Sequence, residues 1–199
     1  MDSEANISYD KEGWRKATHL FALIMPVGYF VLGKTIALSI LIPVTFLIIL
    51  FDTARLRGWK LWSWVGWIWG PLIRPHEARK YTGASWIMVA TVATILLFSK
   101  PVAVCALAFI IIGDSAGALI GRRWGRHRFH NRKSIEGSSA FFLSCFIPVA
   151  LVPGVPLWIG AVGAAVGTVT EAYSDKVDDN LSVPLVSGLI MHLLIKSFG

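Results

Sequence analysis

Apolar residues in this chain come in long runs, with little of the 3.6-residue striping of a surface helix or the alternation of a strand. A membrane-spanning helix needs roughly 17–25 predominantly apolar residues. On that measure the runs predict seven spans, at 17–33, 35–51, 84–99, 101–120, 138–153, 155–171 and 184–198. Pro26, Pro43 and Pro148 fall inside spans, where a missing N–H predicts local kinks. Between the second and third spans lies a different pattern, Trp59-Lys60-Leu61-Trp62-Ser63-Trp64-Val65-Gly66-Trp67-Ile68-Trp69. At helical spacing Lys60, Ser63, Gly66 and Gly70 make a narrow small or polar face, and indoles take the rest. This predicts a short helix lying in the interface with its indoles at headgroup depth. The fold class expected is all-α: a polytopic membrane helix bundle of about seven transmembrane helices plus a short Trp-rich interfacial helix. One domain, 1–199, accounts for the whole chain.

Composition supports this reading. Of the 199 residues, 55% are hydrophobic and 16% charged, where a soluble domain carries about 25% charge. Mean hydropathy is +0.62, and a soluble core of this length could not hide so much apolar surface. Met1 to Lys16 is polar and mixed in charge, without the apolar stretch and small-residue cleavage site of a signal peptide. Cys105 and Cys145 both sit in apolar runs and read as buried small hydrophobes.

Charge sets the orientation. With the N-terminus inside, one face receives 16 of the 19 basic residues and the other only Lys34, Lys100 and Lys196. The positive-inside rule then predicts a cytoplasmic N-terminus and cytoplasmic segments at 1–16, 52–83, 121–137 and 172–183.

Those segments also hold the candidate chemistry. Asp114 stands about two turns inside the fourth span, where a carboxylate costs ~2.5–3.5 kcal/mol unless it faces a cavity or a partner. Beyond it come six basic residues in twelve positions, Arg122 to Lys133, and the turn Lys133-Ser134-x-Glu136-Gly137. Topology and anionic headgroups explain the arginine count, but not the carboxylate among glycines. Gly113, Gly117, Gly121 and Gly125 recur every four residues. Two accounts stay open for them: close helix packing, or a bare backbone approached by phosphates. For Gly160, Gly163 and Gly167 packing is the better account. The sixth segment gathers Glu171, Asp175, Asp178 and Asp179 against Lys176. Acids and bases on one membrane face suit a metal-bound nucleoside triphosphate, the bases holding phosphate and the acids Mg²⁺. Asp52-x-x-Arg55 and Arg74-x-x-Glu77 read first as helix-end ion pairs. His192, alone in the last span, reads as packed and neutral. No G-x-x-x-x-G-K-[ST], H-E-x-x-H or G-x-S-x-G motif occurs.

In order, the elements Arg15-Lys16-x-x-His19, Glu77 through Thr82-Gly83, Gly113-Asp114-x-x-Gly117-x-x-x-Gly121-x-x-x-Gly125, Lys133-Ser134-x-Glu136-Gly137 and Asp178-Asp179-Asn180-x-x-x-Pro184-Leu185 resemble a known family. It is that of the CTP-dependent lipid-alcohol kinases: dolichol kinase, phytol kinase and the CTP-using diacylglycerol kinase. The resemblance implies an integral membrane enzyme, in a cell membrane or endoplasmic reticulum, with its active site facing the cytoplasm. It would transfer the γ-phosphoryl group of CTP to a lipid hydroxyl with Mg²⁺ (or Mn²⁺ or Ca²⁺). The partners implied are CTP, a membrane lipid and the bilayer, with no nucleic acid. It places Asp114 in catalysis, and Asp114, Glu171, Asp178 and Asp179 at metal. Nucleotide binding would fall to Arg15, Lys16, His19, Gly117, Gly121, Arg122, Gly125, Arg126, Lys133, Ser134, Glu136 and Gly137. Glu77, Thr82 and Asn180 would lie on the substrate side. The related CTP:phosphatidate cytidylyltransferases share the Gly-Asp and Lys-Ser/Thr-x-Glu-Gly elements, but this chain lacks their C-terminal Lys-Arg, Lys-Asp and Gly-His-Gly-Gly signature. A transporter or scaffold is the remaining alternative. Its charges would be expected at the midplane, whereas here they keep to one face.

Overall fold

A computed structural model describes residues 19–70, 73, 77–129, 133–174 and 177–198. Arg15, Lys16 and Arg74 lie outside these. The described residues form nine α-helices: α1 Ile24–Leu32, α2 Lys34–Leu56, α3 Lys60–Trp69, α4 Gly83–Leu97, α5 Lys100–Trp124, α6 Ile135–Ser144, α7 Phe146–Leu151, α8 Leu157–Ala172 and α9 Asp179–Phe198. No strand occurs among them, and the chain is a helical membrane protein.

Seven apolar helical segments answer to the seven predicted spans. Three of them, α2, α5 and α9, are long and apolar enough to cross a membrane. The others are His19–Leu32, α4, Ile135–Leu151 and α8. Large apolar side chains remain exposed on the outer surface, among them Val31, Phe46, Leu97, Leu143 and Leu151, as a bundle bathed in lipid requires. The Trp-rich run is the helix α3, on which Trp64 and Trp67 are 78% and 77% exposed.

The helix boundaries have local causes. At Gly33, with φ +81°, the chain turns from α1 into α2, a backbone region that costs glycine little. Thr82 caps α4 by accepting from the Ser85 N–H at 3.4 Å. Ser134 caps α6 by accepting from the Gly137 N–H at 3.1 Å, and Pro101 occupies the first turn of α5. Two of the three predicted kinks are outright breaks. Proline leaves the carbonyl four residues earlier without its helical donor. Helical structure lapses at Ala22 and Leu23, about one turn before Pro26, and at Cys145, just after the Ser144 carbonyl that Pro148 cannot serve. Pro43 lies in an unbroken α2.

At the centre is α5, whose residues from Val102 to Ile111 are all buried. Around it pack α1, α4, α6, α8 and α9. The glycine series is one of its packing faces. A side chain at Gly113 would strike the Phe141 ring at 2.6 Å, one at Gly117 the Gly137 carbonyl at 3.1 Å, and one at Gly121 the Ser134 hydroxyl at 3.0 Å. The face that could have been open to phosphate is thus covered by α6. Helix packing explains Gly113, Gly117 and Gly121, and α8 repeats the device, with Gly160 against Val149 and Gly163 against Met191. Phe141 is fully buried and cannot swing away. Gly113→Ala is therefore expected to destabilise the protein by about 1–3 kcal/mol through overpacking. Thermal unfolding in detergent would show it.

One polar hub ties helix ends together. Asp52, 5% exposed on the last turns of α2, accepts from Arg55 Nε and Nη2 at 2.8 and 2.6 Å. It also accepts from the Thr82 N–H, the Thr82 hydroxyl and the Ser85 hydroxyl at 2.6, 3.0 and 2.8 Å. Arg55 in turn donates to the carbonyls of Glu77, Ala78 and Lys80. The expected helix-end pair is present, and it also fixes the 77–83 turn onto α2 and α4.

Candidate active site

Three helix segments bring carboxylates to one point. α5 supplies Asp114, the last turn of α8 supplies Glu171, and the first residue of α9 is Asp179. One ligand oxygen from each lies within 4.8 Å of the others, and all three residues are partly buried. Close packing of α9 on both α5 and α8 makes this possible.

Cations stand at the edge of the cluster. Lys133, just before α6, donates from Nζ to Glu171 Oε1 at 2.6 Å and to the Glu171 carbonyl at 2.5 Å. The same Nζ lies 3.8 Å from Asp179 Oδ2. His19 Nε2 is 3.6 Å from Asp114 Oδ2 and 3.5 Å from the Ile110 carbonyl. In the tautomer protonated at Nε2, this ring presents an N–H toward Asp114.

A neighbouring layer joins the cluster to the hub at Asp52. Asn180 donates to Asp178 Oδ1 from its backbone N–H at 3.0 Å and from its side-chain amide at 2.8 Å. Gly83 donates to Glu77 Oε1 at 2.9 Å. A side chain at Gly83 would lie 3.1 Å from the Asn180 amide and 3.5 Å from Glu77 Oε1. Glu77, Gly83 and Asn180 therefore meet where α4 and α9 begin, next to Asp179.

Several expected site residues are occupied otherwise. Asp178 is not one of the three clustered acids, because its carboxylate holds Asn180 at the start of α9. Thr82 turns to Asp52 and caps α4. The Gly137 N–H is already given to Ser134 Oγ, so it has no donor left for a phosphate. Gly125 sits against the Ser134 hydroxyl at the end of α5. Lys133, expected on phosphate, is bound into the carboxylate cluster.

Glu136 also has a different task. Its Oε1 pairs with His127 Nδ1 at 2.7 Å, and its two oxygens accept from the His127 N–H at 3.3 and 3.4 Å. With the Phe129 N–H to Lys133 carbonyl and Ile135 N–H to His127 carbonyl bonds, it closes the base of a basic loop. Arg126 and Arg128 are exposed on this loop, and Arg122 is exposed in the last turn of α5. The helix α5 extends past the predicted end of its span at 120, so the predicted 121–137 loop shrinks to 125–134. Sequence reasoning ranks Asp52 and Arg55 as site residues second, after a helix-end ion pair, and leaves out Ser85. The signal was the Asp52-x-x-Arg55 pair, whose partner 30 residues on could not be read from spacing.

The chain is 30% identical over 190 residues to an uncharacterized protein of Rickettsia prowazekii, covering 89% of this chain and 91% of that one. It is 29% identical over 156 residues to CTP-dependent diacylglycerol kinase 1 of Saccharomyces cerevisiae, covering 65% of this chain and 54% of that one. It is 32% identical over 131 residues to the Triticum aestivum protein named "Probable phytol kinase, chloroplastic", covering 56% and 44%. No family model and no solved structure matches the chain. The named kinase relatives, at 29% and 32% identity, support a place for this chain in the family of the CTP-dependent lipid kinases. It spans about half the length of the yeast and wheat relatives.

Proposed function

We propose that this protein is a CTP-dependent lipid kinase that moves the γ-phosphoryl group of CTP to the hydroxyl of a lipid alcohol, with its active site on the cytoplasmic face. The observation that carries this is the meeting of Asp114, Glu171 and Asp179 within 4.8 Å, at the end of the bundle where the basic loop stands. Three carboxylate oxygens are the donor set a hard divalent cation takes. Asp114, Glu171 and Asp179 would hold Mg²⁺, which when bound offsets the negative charge of the phosphoryl group.

The chain's own groups divide the remaining work. Phosphoryl transfer depends mainly on positioning and on neutralising charge. Arg122, Arg126 and Arg128, exposed at the same end, attract the triphosphate. Lys133 holds Glu171 and balances part of the acid cluster. His19 orients Asp114. The lipid oxygen bonds to the γ-phosphorus, the bond from that phosphorus to the β–γ bridging oxygen breaks, and CDP departs. The hydroxyl proton passes to a carboxylate of the cluster, for which Asp114 is the assignment.

The test is incubation of purified protein with γ-labelled CTP, Mg²⁺ and a panel comprising a polyprenol, phytol and diacylglycerol. Labelled lipid phosphate with CDP as co-product is expected. Pyrophosphate release with formation of a CDP-lipid would make the protein a cytidylyltransferase, and no transfer to any lipid would sink the reading.

A further inference from the structure

A surface groove of about 570 Å³ runs between α6 and α8, within the ~300–1,000 Å³ of small-ligand sites. We propose that it seats the hydrocarbon chain of the lipid alcohol, with the hydroxyl at the groove end nearest the Lys133–Glu171 bridge. The proposal rests on the kinase reading above.

Helix geometry places this groove relative to the carboxylates. On α6 its wall is Ile135, Ser139, Phe142 and Leu143, spaced to share one helix face. The face carrying Gly137 and Phe141 is turned to α5 instead. On α8 the wall includes Val169 and Tyr173, while Gly167 and Glu171 lie on the adjoining face, where Gly167 meets α9. The Lys133–Glu171 bridge, 2.6 Å long, joins the two walls beside one end of the groove. Asp114 and Asp179 lie among the helices that Glu171 faces. The groove and the carboxylate cluster thus adjoin across one ion pair.

The Lys133–Glu171 bridge stands at one end of the groove, where Phe129, Ile135 and Tyr173 line it; Ser138, Ser139 and Thr168 line its middle, and Phe142 and Leu143 its far end. From Ile135 to Leu143 the helix rises ~12 Å toward the middle of the apolar segment. A molecule with a polar end and a hydrocarbon tail matches a mainly apolar groove with an ion pair beside one end, and a tail longer than the groove continues past the exposed Leu143 into lipid. Charge selects the head. The lysine at the bridge already has a carboxylate partner, so this end offers hydrogen bonds to a neutral hydroxyl, whereas a phosphodiester would meet the Glu171 carboxylate.

The test uses the full chain in mixed micelles with a long-chain alcohol bearing a photoreactive diazirine near the middle of its tail. Capture is expected within 135–143 and 168–173, competed by unlabelled long-chain alcohol and not by phosphatidylcholine. Ser139→Trp should fill the groove, reduce capture and raise the lipid KM by at least about tenfold with the CTP KM unchanged. Leu143→Trp, at an exposed position, repeats the test if the first variant does not fold. Capture mapping elsewhere, equal competition by phosphatidylcholine, or wild-type capture and lipid KM in both variants would overturn the assignment. Alcohol-specific capture in the groove by a protein that transfers no phosphate from CTP would uphold the groove and defeat the kinase reading alone.

Discussion

Asp114→Asn is expected to give a folded membrane protein whose CTP-dependent lipid phosphorylation falls at least about a hundredfold. The substitution keeps the size of the side chain and removes its charge. Asp114 lies on α5 between two apolar turns and the basic loop, with Glu171 and Asp179 close enough to share one cation. A purely structural role would rest on His19, whose Nε2 lies 3.6 Å from Asp114 Oδ2, and an amide can still meet that nitrogen. The structural account thus predicts small losses and the catalytic account large ones. Cation dependence is a second readout. If Asp114 holds Mg²⁺, residual activity of the variant should need a higher Mg²⁺ concentration, whereas loss of a base leaves that dependence unchanged. An Asn variant with wild-type elution from size exclusion and most of its kinase rate would remove Asp114 from the chemistry.

Replacing Asp52 by alanine is the most damaging single change expected for stability. Arg55 is 8% exposed at its side chain and pairs with Asp52 at 2.6 Å. Truncation would leave a guanidinium buried without its carboxylate, and breaking a buried pair from one side costs about 3–5 kcal/mol. The Thr82 N–H and the Thr82 and Ser85 hydroxyls lose their acceptor at the same time. Because these bonds form one network, their individual costs do not add. Asp52→Asn keeps an acceptor and should fall between wild type and Ala. Thermal unfolding in detergent would rank the three. The 77–83 turn abuts Asn180 through Gly83, so kinase activity should decline in the same order. Equal melting of Asp52→Ala and wild type would show that the hub contributes nothing.

The order of importance along the chain was legible at the level of chemistry. A carboxylate two turns inside an apolar run is costly unless something meets it, and this alone marked Asp114. The Lys133-Ser134-x-Glu136-Gly137 turn was equally visible, but its roles were not. Serine before a helix is a cap, and Ser134 with Gly137 is satisfied locally. Glu136 reaches back nine residues to His127. Both are short-range facts that spacing permits without selecting.

By itself the sequence determined an all-helical membrane bundle and its seven apolar segments, because span length and apolar content follow from the thickness of the bilayer core. Its prolines marked two of the helix breaks, before Pro26 and Pro148, while Pro43 lies in an unbroken helix. Only the tertiary structure decided which acids meet. Asp114, Glu171 and Asp179 are 57 and 8 residues apart in the chain, and their convergence depends on α9 lying against both α5 and α8. The tertiary structure likewise decided between the two accounts of the glycine series, because whether a bare helix face meets phosphate or another helix depends on what packs there. At Gly113, Gly117 and Gly121 the Phe141 ring, the Gly137 carbonyl and the Ser134 hydroxyl, on and at the start of α6, fill the space a phosphate would need.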